Sequence, residues 1–249
     1  MRDFDDSTLW RFSAYERMRE ERSSTVFAQL GENTMLSTTL VADLRQLAAQ
    51  READDVLEVL AACLRHRQPA LVCLRYEDLV WPVTVFPQDG LYHSPRDLAL
   101  AKPEALARCV VLACDPPGLR PPGHWMHERI GRTEHYRPLK PLLWNLALLG
   151  PRASLLGEIG GPAAYRVLLS KENRPSAPGA ISAAAERLRS ESAPLREIAR
   201  WPGMSTERAA RLLNALYLVG GLMVMRTHPA ARAETDLLDR LLRWGKSRH

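Results

Sequence analysis

Apolar residues recur at helical spacing between residues 40 and 66. The adjacent carboxylates of Asp54 and Asp55 interrupt this pattern, which predicts either two helices or one kinked helix. Short apolar runs typical of strands follow, and Gln88-Asp89-Gly90 is a hairpin signal within them. Because proline cannot donate to a strand ladder, Pro82 predicts that its strand lies at a sheet edge. The predicted strands are residues 70–76, 80–86, 91–93 and 109–114.

The second half of the chain alternates between helix and strand patterns. Residues 138–149 predict a buried helix, and residues 153–159 predict a shorter helix that ends at Gly160-Gly161. Residues 164–169 predict a strand that would pair with an apolar run at residues 222–225. Two further helices are predicted, at residues 180–190 and 232–244.

Turn and capping signals are densest in residues 194–228. Pro202-Gly203 signals a tight turn after a short helix, and Ser205 is a suitable N-cap for a longer helix. Gly220-Gly221 would end that helix just before a compact apolar strand. This order predicts a helix-turn-helix with a winged-helix-like strand after it.

The polar face of the longer helix separates two functional hypotheses. Arg208, Arg211 and Asn214 suit DNA binding, which places such side chains on base edges and phosphates. Glu207 would face phosphates unfavourably, and Leu218 offers an apolar contact. Only one strand follows the helix, whereas a wing needs two. The pattern therefore favours contact with a protein, and specific DNA is the alternative partner of these five residues.

Together these patterns predict an α+β protein of two domains. The N-terminal domain would hold a small antiparallel sheet with flanking helices, and the C-terminal domain would be mainly α-helical. The N-terminal arm carries a predicted helix over residues 5–22, either frayed or docked. The predicted divisions are an arm and connection over residues 1–39, an α+β domain over 40–115, a proline-rich connection over 116–137 and a helical domain over 138–249.

Composition is that of a globular protein, since 46% of the 249 residues are hydrophobic and 25% are charged. The formal net charge of +5 lies in the last third of the chain, which permits contact with nucleic acid or an acidic partner. An acidic start, the absence of C-x-x-C pairs and the absence of a long apolar run predict a cytoplasmic protein with no membrane contact. The excess of arginine over lysine is typical of a GC-rich bacterial genome.

Candidate chemistry is sparse. His124, His127, Glu128 and His135 form a metal-like cluster, because histidines at i and i+3 on a helix can chelate zinc. Their order, H-x-x-H-E, differs from the H-E-x-x-H of zinc proteases, so we expect a polar loop and no stoichiometric metal. The chain lacks a G-x-S-x-G elbow, a P-loop and a G-x-G-x-x-G after a strand. We therefore predict no catalytic residues, no cofactor and no enzymatic activity.

The sequence L-V-C-L-R-Y-E-D-L-V-W-P-V-T-V-F-P-Q-D-G-L-Y-H-S, residues 71–94, resembles the small sheet of bacterial PATAN-type regulatory domains. Such domains commonly carry a strand pair, an aromatic residue, an Asp/Asn-Gly turn and a short strand. Residues 195–224 resemble the winged-helix-like segments attached to them. Pro82 and Pro87 depart from the usual pattern. The resemblance implies an interaction role in bacterial signalling, beside response regulators or small Ras-like GTPases.

These observations lead to one functional prediction and one alternative. We predict a non-enzymatic bacterial regulatory or adaptor protein that acts through protein–protein interaction in signalling. The alternative is a DNA-binding transcriptional regulator that uses the helix-turn-helix. The four cysteines carry no part of either hypothesis, since each is expected to be a small buried hydrophobe.

Overall fold

The computed structural model describes residues 9–24, 36–123, 133–170, 175–177 and 179–231. The chain divides into two compact units, Met1–Arg152 and Ala153–His249. Each unit combines helices with an antiparallel sheet, as the α+β prediction requires. The predicted C-terminal helix at residues 232–244 lies outside the described residues.

The first unit is built on a six-stranded sheet. Its strands follow the order β5-β2-β3-β4-β6, and β1 pairs with β3 beside this path. The strands are β1 (Trp10–Arg11), β2 (Ala70–Tyr76), β3 (Leu79–Phe86), β4 (Leu91–His93), β5 (Val110–Asp115) and β6 (Tyr136–Pro138). The helices are α1 (Phe12–Ser24), α2 (Thr38–Ala49), α3 (Val56–Arg65), α4 (Pro103–Leu106) and α5 (Leu139–Leu149).

The break between α2 and α3 resolves the first sequence alternative in favour of two helices. Asp55 is the N-cap of α3, and its carboxylate accepts hydrogen bonds from the backbone N–H groups of Leu57 at 2.8 Å and Glu58 at 3.2 Å. These bonds satisfy two donors that the first helical turn leaves without a partner. Asp55 therefore starts a new helix at the point where the apolar period is interrupted.

Pro82 does not mark an edge strand, so that prediction is wrong. Its strand, β3, pairs with β2 along one side and with both β1 and β4 along the other. On this second side β1 pairs with residues 79–80 and β4 with residues 84–86. Pro82 falls in the gap between the two partners, so its missing N–H interrupts no pairing there. Pro82 therefore lies in a central strand, at a short stretch where one side of that strand has no pairing partner.

The N-terminal arm docks on one face of the sheet. Tyr15 of α1 is buried in a cluster with Cys73, Val80 and Ala113 of the sheet. The Arg75 guanidinium lies 4.0 Å from the centre of the Phe12 ring, a cation–π contact that holds the start of α1. The sequence predicted either a frayed or a docked arm, and the structure shows the docked one. Its helix begins at Phe12.

The first unit extends to Arg152, beyond the predicted start of a helical domain at residue 138. Strand β6 pairs with β4, and the Leu139 N–H donates to the Gly90 carbonyl at 2.8 Å. The Asn145 side chain donates to the Ala99 carbonyl at 2.7 Å. These bonds to the sheet and to a neighbouring loop place α5 in the first unit. A domain boundary predicted from proline content does not take such long-range pairing into account.

The second unit has a three-stranded antiparallel sheet in the order β8-β7-β9. Strand β7 pairs with β9 along its whole length, which confirms the predicted pairing of these two segments. Within the described residues, which end at Ala231, no second strand follows β9. The elements are β7 (Ala164–Val167), α6 (Gly179–Ser190), β8 (Ala193–Pro194), α7 (Leu195–Ile198), α8 (Thr206–Leu218) and β9 (Leu222–Met225).

Arg152 closes the first unit through a buried ion cluster. Its guanidinium lies 2.7 Å from the Asp55 carboxylate and 2.9 Å from the Glu58 carboxylate, both at the N-terminal turn of α3. The Glu58 side chain is buried. Removing one partner of such a cluster leaves a buried charge without compensation.

We expect Arg152→Ala to destabilise the first unit by about 3–5 kcal/mol, because Glu58 would keep its burial and lose its counter-charge. Urea unfolding of the full chain measures this change. Arg108→Ala is the matched control, since Arg108 pairs with Glu77 on the exposed surface and should change stability by at most about 1 kcal/mol. Equal effects of the two substitutions would contradict the structural role of Arg152.

Candidate functional site

The helix-turn-helix elements predicted from the sequence are present, with α7 only four residues long. Gly203 in the turn has φ +72°, and a Cβ there would come within 2.7 Å of the Ala180 Cβ. Glycine therefore fits this position for both its backbone and its size. The Ser205 hydroxyl accepts from the Arg208 N–H at 3.2 Å, which confirms the predicted N-cap of α8.

The first turns of α8 carry the exposed part of the predicted contact face. Glu207 and Arg208 are exposed, and Arg211 is half-buried. The Arg211 guanidinium lies 2.9 Å from the Glu207 carboxylate, and Arg208 donates to the Gly203 carbonyl at 2.6 Å. Both arginines are thus held by groups of their own helix and turn. A phosphate or an acidic partner group that binds Arg211 would have to compete with this ion pair.

Asn214 and Leu218 do not lie on the contact face that the helical wheel predicts. Asn214 is 0% exposed and Leu218 is 7% exposed. The Asn214 carboxamide oxygen accepts from the Leu156 N–H at 3.0 Å, and its nitrogen donates to the Ser154 carbonyl at 2.8 Å. Residues 153–160 therefore cover this side of α8. Both residues are therefore removed from the predicted contact set, and Asn214 is held by a segment distant in sequence.

Residues 153–159 are not helical, so the prediction of a short helix there is wrong. Partners elsewhere in the unit take up the backbone groups of this segment. Arg226 donates to the carbonyls of Glu158 and Gly160, each at 2.8 Å, and the Tyr165 hydroxyl donates to the Ile159 carbonyl at 2.7 Å. Burial raises the pKa of Tyr165, which keeps this hydroxyl a donor. The Tyr217 hydroxyl also hydrogen-bonds the Glu158 carboxylate.

The outer face of the second sheet is a surface that the sequence predictions missed. Arg166 lies directly opposite Met223, so their side chains share one face of the sheet. The Leu168 N–H donates to the Gly221 carbonyl at 2.8 Å, which extends the pairing and places Leu168 on that face. Leu168 is 58% exposed and Met223 is 40% exposed. We call Arg166, Leu168 and Met223 the outer sheet face.

The sequence predictions missed the outer sheet face because a run of apolar residues does not show which of its members face solvent. In residues 165–168 the core residues Tyr165 and Val167 alternate with exposed Arg166 and Leu168. Residues 222–225 are all apolar, so their sequence contains no alternation that would identify Met223 as exposed. The pairing register supplies that information.

The metal-like cluster lies mostly outside the described residues, which exclude His124, His127 and Glu128. The His135 ring lies 5.4 Å from the His93 ring, beside β6. Among the described residues, no three His, Cys, Asp or Glu side chains come together as a metal-binding group. None of the helices in the described residues of the two units is both long enough and apolar enough to cross a membrane.

We expect Asn214→Ala to destabilise the second unit, because the buried Leu156 N–H would lose its partner at a cost of about 1–3 kcal/mol, and the partly buried Ser154 carbonyl would lose a hydrogen bond. Asn214→Asp should also destabilise it, since a carboxylate cannot donate to the Ser154 carbonyl. Chemical unfolding measures both. Glu207→Ala on the exposed side of α8 is the control and should leave stability nearly unchanged. If Asn214→Ala left the stability unchanged, residues 154–156 would be held in place without Asn214.

Comparisons of the chain with protein-family models, with curated proteins and with solved structures found no match in any of the three. The inference of function therefore rests on the geometry of the second unit. That geometry consists of a helix whose cations are engaged locally and a sheet whose outer face presents apolar side chains.

Proposed function

We propose that this protein is a non-enzymatic regulatory adaptor that binds a partner protein through the outer sheet face of its second unit. The observation that supports this most is the exposure of Leu168 at 58% and Met223 at 40% on one side of a sheet whose other side is buried. Contiguous exposed apolar side chains are typical of interaction sites. The resemblance of the sequence to bacterial PATAN-type domains points to the same role, in bacterial signalling.

The chemistry of the outer sheet face defines the partner. Arg166 is exposed next to Met223, and neither β7 nor β9 contains an acidic residue. A complementary surface therefore has an apolar side chain at its centre and Asp or Glu at its rim. Response regulators and small Ras-like GTPases are the partner classes that the resemblance implies.

Several features of α8 weigh against sequence-specific DNA binding. A DNA-binding helix needs polar side chains that are free to reach base edges. Asn214 is committed to Ser154 and Leu156, and Arg208 to the Gly203 carbonyl. We interpret the second unit as a winged-helix-like arrangement in which β7, which precedes the helices, occupies the place of a wing strand. In this interpretation the sheet contacts the partner, and α8 supports the sheet.

We predict that a bound partner depends on the apolar residues of the outer sheet face. Leu168→Asp and Met223→Asp, singly and together, should reduce partner capture from nuclease-treated bacterial lysate about tenfold or more, because a charge would replace an apolar anchor. Quantitative mass spectrometry of the captured proteins measures this. Leu100→Asp is the matched control, since Leu100 is 81% exposed in the first unit and should have no effect.

The same experiment separates the two hypotheses. A protein that stays bound at high salt and is lost only on the Leu168 and Met223 changes would support the adaptor function, since apolar contacts are little screened by salt. Without nuclease treatment, recovery of one DNA sequence, lost on Arg208→Glu and retained by Leu168→Asp, would make DNA binding the function instead. Equal capture by every variant would place the contact elsewhere on the molecule.

A further inference from the structure

The side of the second sheet that carries the outer sheet face is closed at one end and open at the other. Ala164, Arg166 and Leu168 point to this side, since side chains alternate along an extended chain. Ala164 is buried, whereas Arg166 and Leu168 are exposed. The closed end is the one where β7 pairs with β8, whose Pro194 lies opposite Ala164. The open end is the outer sheet face.

The described residues of the second unit stop beside the closed end. A short 3₁₀ helix, Pro229–Ala231, packs against β8, and its Ala230 carbonyl accepts from the Arg196 guanidinium at 3.3 Å. Ala231 is buried. Neighbouring strands such as β8 and β7 lie about 4.8 Å apart, whereas three extended residues span about 10 Å. Residue 234 can therefore reach Arg166.

The sequence after Ala231 has the chemistry of a complement to this face. Glu234 precedes the first leucine of the helix predicted over residues 232–244 by three residues and the second by four, so in that helix it would lie on the same side as the leucines. The apolar stripe of this predicted helix consists of Leu237, Leu238, Leu241 and Leu242. We call residues 232–249 the distal segment.

The spacing along the two surfaces matches. Arg166 and Leu168 are two residues apart on an extended chain, which separates them by about 6.6 Å. Glu234 and Leu238 are four residues apart, which in a helix is a rise of about 6 Å. A helix laid along β7 would therefore set Glu234 on Arg166 and Leu238 on Leu168. The Arg166 guanidinium donates to the Arg189 carbonyl at 3.4 Å, and among the described residues no carboxylate pairs with it.

We propose that the distal segment docks as a helix on the outer sheet face and competes there with the partner protein. Glu234 pairs with Arg166, and the leucine stripe covers Leu168 and Met223. The docking is independent of the proposed function, whereas the competition rests on it. Because the segment belongs to the same chain, its effective concentration at the face is on the order of millimolar. A partner must displace the segment before it can bind.

Photocrosslinking of the purified full chain tests the docking in the absence of any partner. A benzophenone amino acid at residue 223 should form an adduct with peptides of residues 232–249 in the same molecule, and one at residue 100 should not. Glu234→Arg and Leu238→Asp should each reduce this adduct about threefold or more, because one removes an ion pair and the other an apolar contact. Arg166→Glu combined with Glu234→Arg should restore it.

Asp236→Arg is the matched control, since it makes the same charge change on the opposite side of the predicted helix and should leave the adduct unchanged. Three results would overturn the docking. One is an adduct that joins two molecules of the chain. Another is the absence of any adduct with residues 232–249. The third is an equal loss of the adduct in Asp236→Arg and Glu234→Arg.

Partner capture from lysate tests the competition separately. Glu234→Arg combined with Leu238→Asp should raise capture of the partner about threefold or more, because the face would no longer be occupied. Unchanged or reduced capture would contradict the competition. Failure of the proposed function has a different signature, since capture would then be insensitive to Leu168→Asp while the intramolecular adduct of the purified chain persists.

Discussion

The two hydrogen bonds of the Asn214 carboxamide determine which side of α8 a partner can reach. They tie residues 154–156 to α8 and bury the side of the helix that would otherwise extend its polar face. The rest of α8 then offers only its first turns, where Glu207 and Arg211 neutralise each other. With this helix engaged on both sides, the sheet becomes the place where apolar side chains face solvent. That buried amide therefore removes one side of α8 from the candidate contact surfaces.

The first unit shows the same dependence on contacts between distant parts of the chain. Asp55 both caps α3 and accepts from Arg152, so one carboxylate joins the start of a helix to the end of the unit. Across the sheet, the docking of Tyr15 turns an N-terminal arm into part of the core. Between α3 and β5 the packing also leaves a cavity that Cys114 lines.

Local chemistry predicted much of this fold. The Asp54-Asp55 break, the Ser205 cap, the turn at Gly203 and the pairing of residues 164–167 with β9 were all visible in the sequence, because each depends on neighbouring residues or on a simple apolar period. Pro82 and Asn214 were misjudged for one shared reason. The gap beside Pro82 depends on β1, whose residues lie about seventy positions earlier in the chain, and the burial of Asn214 depends on a segment about sixty positions away. Helical wheels and strand rules contain no information at that range.

Site-specific photocrosslinking in living bacteria tests the proposed contact surface most directly. A benzophenone amino acid at residue 223 or 168, on the outer sheet face, should give an adduct with one defined protein after irradiation. The same amino acid at residue 208 of α8, or at residue 100 of the first unit, should give none. Adducts to DNA from residue 208, with none from residues 168 and 223, would contradict the proposal and identify α8 as the binding element.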